Sequence, residues 1–252
     1  MAESLLVEWA EHDVLTLTLN RPERRNAVDP ELLGALAEAL RSNGARAGAV
    51  ILRGAGDDAF SSGYDLARLT GTSADLDADR WIGEASGALM ECPAPVVARL
   101  SGHCHGAGVE LALCCDYRVS SPTLRMSVPA VGLGIVYRYE LVARLVQMCG
   151  LSNASTLLLG MRELDLPAAE AWGLVNESCA QSELDARTQA VAERLATAPR
   201  SAVRGTKTLL GHFAAHSITP DDLALAQRLR AAAASSPERY QALQRRKKKV
   251  TG

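Results

Sequence analysis

Aromatic side chains are scarce in this chain: two Phe, five Tyr and three Trp make up 4% of its 252 residues. The core must therefore be assembled mostly from Ala, Leu and Val. No apolar run approaches the roughly 20 residues that span a bilayer. The opening residues Met1-Ala-Glu-Ser-Leu-Leu-Val-Glu8 lack a basic segment followed by a long apolar stretch, so no signal peptide is expected. Cationic excess is also missing. A formal net charge of -2 argues against nucleic acid as the main partner. The six cysteines include no CxxC pair and sit in apolar contexts such as Leu113-Cys114-Cys115, as expected of reduced core thiols in a cytoplasmic protein. There is no GxxxxGK[ST] phosphate loop, no GxSxG elbow, no repeat of fixed period and no low-complexity segment.

What is present is ordinary in bulk and specific in detail. Hydrophobic content of 48% and charged content of 22% suit one large domain, or one domain with a small appendage. Leu5 to Trp9 and Val14 to Asn20 are β-rich runs split by Glu11-His12-Asp13, which predicts an opening hairpin. Asp29-Pro30-Glu31 predicts a helix start, with Asp29 as the N-cap and Pro30 in the first helical position. Ala49 to Arg53 reads as a short continuous apolar strand and Val96 to Leu100 as another strand, and Ala74 to Cys92 carries a helical pattern between them. Strands alternating with helices indicate an α/β fold. From about Glu140 onward, Ala-, Leu- and Arg-rich helical segments dominate. We therefore expect a core over residues 1–195 and a helical region over residues 196–252.

The densest chemistry lies in Ser101-Gly-His-Cys-His-Gly-Ala-Gly-Val-Glu110-Leu-Ala-Leu-Cys-Cys-Asp116. A Gly-rich turn runs into an apolar helix whose first turn carries one carboxylate, Glu110. Backbone N–H groups at a helix start have no intrahelical partner, and the helix dipole favours negative charge there. Such a turn can hold an oxyanion. A carboxylate beside an anion site suggests proton transfer, whereas a basic neighbour such as Arg99 or Arg118 would make it a structural ion pair. Phe60-Ser-Ser-Gly-Tyr-Asp65-Leu66 is a second Gly-containing turn after a strand, able to add another N–H donor to the same anion. A dinucleotide fingerprint fails, because the third glycine would fall at Leu111 and Asp116 is too close to read a ribose. His103 and His105 share a strand face, yet no second ligand pair recurs, so they are expected in a pocket or core rather than on a metal.

Five segments in order and spacing resemble the enoyl-CoA hydratase/isomerase (crotonase) superfamily over nearly the whole chain. They are Asn20-Arg-Pro-Glu-Arg-Arg-Asn-Ala27, Phe60 to Leu66, Gly102 to Asp116, Ala169-Glu-Ala-Trp-Gly-Leu-Val-Asn176, and Thr206-Lys207. The resemblance implies a crotonase-like (ββα) spiral followed by a C-terminal helical trimerisation region, with trimers or stacked trimers as the assembly. It implies an acyl-CoA thioester substrate, with coenzyme A as part of that substrate and no separate cofactor or metal. Tyr64 and Ala107 would supply the two oxyanion N–H groups, and Arg24, Arg25, Ser62 and Asp65 would face the nucleotide and phosphates. Glu110 matches the first of the family's two catalytic glutamates. The basic run Lys247 to Lys249 reads as a solvated tail or a further phosphate contact.

Three departures from that pattern bear on the reaction. The usual Gly-Gly-Gly is Gly106-Ala107-Gly108; the Pro-Glu pair is Pro129-Ala130, so the second carboxylate is missing; and the Pro-Gly-x-Gly-Gly loop is replaced by Val136-Tyr137-Arg138-Tyr139-Glu140. Leu133-Gly-Ile-Val-Tyr137 resembles the acyl-CoA decarboxylase segment that carries a functional tyrosine, so Tyr137 is either a catalytic hydroxyl or a hydrogen-bonded structural one. Glu140 is expected on the surface of the next helix, with substitution for the lost carboxylate as the alternative. The expected activity is hydratase-like, through an enolate; isomerisation, decarboxylation, or acyl-CoA binding without chemistry are the alternatives. Lining residues are sought at His103, His105, Tyr137 and between Leu66 and Trp81.

Overall fold

The computed structural model describes residues 3–215, 219–235, 240, 241 and 244; the basic run at 247–249 lies outside them. The opening hairpin pairs β1 (Leu5–Ala10) antiparallel with β2 (Val14–Leu19), Leu5 facing Leu19 and Ala10 facing Val14. Helix α1 (Pro30–Asn43) begins as the sequence predicts: the Asp29 carboxylate accepts the Leu32 N–H at 3.0 Å and Pro30 occupies the first turn. Its buried face carries Leu32, Leu33, Leu36 and Leu40.

From there the chain repeats a strand-strand-helix unit. The first turn is β3 (Ala49–Gly54), β4 (Ala59–Ser61) and α2 (Asp77–Glu91), with a 3₁₀ turn at Ser73–Leu76 where the sequence pattern already reads as helix. The second is β5 (Val96–Leu100), β6 (His103–His105) and α3 (Ala107–Cys114). The third is β7 (Tyr117–Ser120), β8 (Arg125–Ser127) and α4 (Tyr139–Leu158), the last interrupted at Gly150. Each turn gives its first strand to one sheet and its second to another. The large sheet runs β1-β2-β3-β5-β7-β9, closed by β9 (Glu177–Ser178) after α5 (Leu166–Ala171); the small one runs β4-β6-β8, all parallel. This is the expected ββα spiral.

The main core fills the space between the sheets and α1, α2 and α3 with Leu, Val and Ala, and Phe60 joins them. All eight residues of α3 are buried, as befits a helix apolar at every position except Glu110. Parallel strands covered on both faces read as continuous apolar runs, and β3 and β5 do so. Their second face, with Ile51 and Val97, packs on Leu184 and Ala192 of α6 (Leu184–Ala196). Arg99 shares that outer face. Its Nη2 reaches Asp57 at 2.6 Å and its Nε reaches Asp185 at 2.5 Å. The helices α7 (Arg200–Ala215) and α8 (Pro220–Ala234) follow. Lys207 of α7 ties them to the core, with Nζ 2.7 Å from Asp116 and donating to the Leu89 and Ala94 carbonyls at 3.2 and 3.0 Å.

Candidate active site

Because β4, β6 and β8 are parallel neighbours, the loops after them open on the same side. The first is held by the segment before α1. Asn26, nearly fully buried, donates to the Ala59 and Ala55 carbonyls at 2.8 and 3.0 Å, while Val28 N–H donates to Gly63 O and Asp65 N–H to Val28 O. Gly63 adopts φ +91°, and a Cβ there would sit 2.7 Å from the His105 carbonyl oxygen and 3.4 Å from Ala107 N. Gly106 adopts φ +54°, a conformation L side chains rarely take. The two turns thus meet closely because both pivots lack a side chain. Among the described residues, neither the Tyr64 nor the Ala107 N–H donates to any acceptor. Two free backbone donors thus stand on abutting turns, one of them at a helix N-terminus.

Glu110 lies one helical turn further on, 2% exposed. Ser86 of α2 donates to its Oε1 at 3.2 Å, and Oε2 is buried with no protein partner among the described residues. Burial pushes the carboxyl above its ordinary value, a rise opposed by the Arg138 guanidinium and by Ser86 and reinforced by Glu140. That combination suits a group that must both take and return a proton.

The basic partner is not Arg99 or Arg118. Arg99 points from β5 to the opposite face of the sheet, and Arg118 is used by the Leu174 and Cys115 carbonyls at 2.8 Å each. The partner is Arg138, whose Nη2 lies 3.3 Å from Glu110 Oε1. Its Nη1 donates to the Asp79 carbonyl at 3.3 Å. Gly83, one turn before Ser86 on α2, makes room for it: a Cβ at Gly83 would overlap Arg138 Nη1. Ser86 and Arg138 were not singled out by the sequence reading. The signal available was the Gly83–Ser86 spacing, two small residues on one helix face.

Tyr137 brings its hydroxyl over the Gly106 pivot, 3.4 Å from where a Cβ would stand. Among the described residues no group hydrogen-bonds to it. Burial raises its phenol well above the ordinary value, and the Glu110 charge raises it further. Ala130, in place of the second glutamate, is buried at 5% exposure. Glu140 stands on the rim, its side chain 43% exposed and 3.8 Å from Arg138 Nη2. His103 and His105 meet edge to face at 5.0 Å, and His105 Nε2 is 3.3 Å from Glu163. No group of three or more His, Cys, Asp and Glu converges among the described residues.

The residues expected at the nucleotide end form a cluster. Arg21 bridges Asp29 and Asp65 at 2.9 and 3.0 Å, and Arg24 reaches Asp65 at 2.9 Å. Burial alone would raise the Asp65 carboxyl, but the Ala67 N–H, Arg21 and Arg24 outweigh it and hold it below the ordinary value. Asp65 thus anchors two guanidinium groups. Arg24 remains half exposed, Arg25 is exposed in a left-handed turn, and Ser62 Oγ donates to the Arg24 carbonyl at 3.1 Å.

Comparison with known proteins gives the family. The family model for enoyl-CoA hydratase/isomerase matches residues 10–250, and the chain belongs to that family. It is 30% identical over 210 residues to a crotonyl-CoA hydratase of Syntrophomonas wolfei, covering 81% of this chain and 80% of that protein. Among solved structures, an enoyl-CoA hydratase/carnithine racemase of Magnetospirillum magneticum superposes with a TM-score of 0.79 at 33% identity, covering 84% of this chain and 82% of the other. A methylmalonyl-CoA decarboxylase reaches a TM-score of 0.90 over 98% of this chain and 96% of its own, at 21% identity, a likeness of fold. Among the described residues no helix is long and apolar enough to cross a membrane.

Proposed function

We propose that the chain is a hydratase-type acyl-CoA enzyme working through a thioester enolate. Tyr64 and Ala107 N–H hold the thioester oxygen, and Glu110 is the acid/base. The observation that carries this reading is the unpartnered, buried Glu110 Oε2 beside two unengaged N–H donors. Donors aimed at an oxyanion stabilise the charge that develops when the β-carbon of an enoyl thioester is attacked. Ionised Glu110 takes a proton from water as the hydroxyl adds to the β-carbon, then returns that proton to the α-carbon as the enolate collapses. One carboxylate thus serves both steps where Ala130 replaces the second. The relatives named as hydratases support the same subtype.

Arg24, Arg25 and Ser62 face the phosphates in this reading, with Asp65 holding the arginines in place and coenzyme A arriving as part of the substrate. The spiral core ends near residue 195 and the helices beyond it join copies into trimers or paired trimers, in the cytoplasm. Exposed Leu151, Leu159, Met161, Leu209 and Leu210 support self-association. Glu110→Gln, screened by mass spectrometry on 2-enoyl-, 3-enoyl- and malonyl-type CoA esters, should lower kcat by about 10²–10⁴-fold. Undiminished turnover of every accepted ester would remove Glu110 from its role.

The Tyr137 hydroxyl, unbonded over Gly106, favours a second reading as a decarboxylase. There the bond broken joins the α-carbon to a carboxylate, CO₂ leaves, and Glu110 protonates the resulting enolate. Tyr137→Phe should then lower CO₂ release from malonyl-type esters more than it lowers hydration of enoyl esters. Equal effects on both would discard this reading.

A further inference from the structure

We propose that Arg138 binds the acyl half of the substrate and that the site selects CoA esters whose acyl group carries a second carboxylate. This rests on reading Glu110 as the group that meets the acyl α-carbon. Arg138 is always charged and offers five N–H donors in a planar fork. Its side chain is only 13% exposed, yet its contacts are sparse. Glu110 lies at 3.3 Å, the Asp79 carbonyl at 3.3 Å and the exposed Glu140 at 3.8 Å, while the buried Nε has no partner among the described residues.

The same chain shows what a structural arginine looks like. Arg21 makes three contacts, at 2.9, 2.9 and 3.0 Å, to Ala27 O, Asp29 and Asp65. Charge-assisted bonds to carboxylates normally fall at about 2.7–2.9 Å. Leaving a guanidinium out of water and short of acceptors is costly unless an anion completes it. The fold nonetheless makes space for it, since α2 gives up a side chain at Gly83 where Arg138 crosses.

The location decides which anion. Arg138 borders Glu110 and follows Tyr137, whose hydroxyl overlies Gly106. An anion reaching this guanidinium belongs to the acyl group and not to the phosphates at the Arg24 end. The planar fork can serve two carboxylates at once, Glu110 on one edge and the substrate on the free Nε edge, so the like charges meet across a shared cation.

Isothermal titration with two matched pairs tests this: glutaryl-CoA against valeryl-CoA, and succinyl-CoA against butyryl-CoA. Within each pair a terminal carboxylate replaces a methyl at equal chain length. In at least one pair, wild type should bind the carboxylated ester about tenfold or more tightly, Arg138→Met should erase the gap, and Arg138→Lys should keep part of it. Equal affinities in both pairs, or a gap that survives Arg138→Met, overturn the proposal, and so does a failure to bind any of the four esters. A role confined to tuning Glu110 predicts equal affinities and so counts against it. Solvent deuterium exchange at the α-carbon of butyryl-CoA is measured alongside. Exchange without a binding gap sinks the proposal and leaves Glu110 standing; a binding gap without exchange upholds the carboxylate site and sinks Glu110 as the base.

Discussion

Replacing Arg138 by Met removes the charge that faces Glu110 while keeping much of the stem. At 3.3 Å, and with an effective dielectric constant of about 20, the gross attraction is about 5 kcal/mol. Glu140 at 3.8 Å shares that cation from the solvent side, so only part of this belongs to Glu110. Removing one member of a buried pair typically costs about 3–5 kcal/mol, chiefly through the charge left behind. The penalty depends on pH. Burial holds Glu110 above its ordinary value, so the folded protein binds the proton more tightly than the unfolded chain, and stability falls as pH rises through the interval between the two values. Without Arg138 that interval widens upward. We expect Arg138→Met to lose more stability near pH 8 than near pH 5, the loss at the higher pH being about 3 kcal/mol. Urea denaturation at both pH values measures this. Glu110→Gln in the same background should recover most of the loss near pH 8, giving a coupling energy of about 1–3 kcal/mol. An equal loss at both pH values, or no recovery in the double variant, would refute the pairing.

Two further substitutions probe the frame. Gly63→Ala should cost about 1–3 kcal/mol, because its Cβ would press on the His105 carbonyl at 2.7 Å from a left-handed backbone. By moving Tyr64 against Ala107 it should also lower kcat about 10²-fold with a smaller change in KM, read by steady-state assay beside thermal unfolding. Lys207→Met should cost about 1–3 kcal/mol in urea denaturation, since it takes the cation from Asp116, which keeps the Val96 N–H at 2.7 Å, and the donor from two carbonyls. A loss below about 0.5 kcal/mol would reduce Lys207 to a surface pair.

The local rules carried the sequence reading a long way. Asp29 and Pro30 announce α1, the largely apolar runs of β3 and β5 announce strands, and Gly106 announces a turn into a helix. Each depends on residues within a few positions of one another. Arg138 was visible only as part of a loop that departs from the family pattern, because its partner is 28 residues away and its space is made by a glycine 55 residues away. Arg99 and Arg118, nearer in sequence to Glu110, were the natural candidates. Strand alternation sends Arg99 to the α6 face, and Arg118 is taken up by carbonyl oxygens. Which cation reaches a buried acid is decided by how helices and sheets pack, and that is not written in spacing.

Every residue of α3 is buried. Local opening draws on exposed segments with few apolar contacts, and this helix offers none. Its amides from Leu111 to Cys114 should be among the last in the chain to exchange with deuterated solvent, released only when the whole core opens. The turn at Gly106 is therefore no lid. In the proposed mechanism the Ala107 donor is ready before substrate arrives, and it can be lost only by unfolding the protein around it.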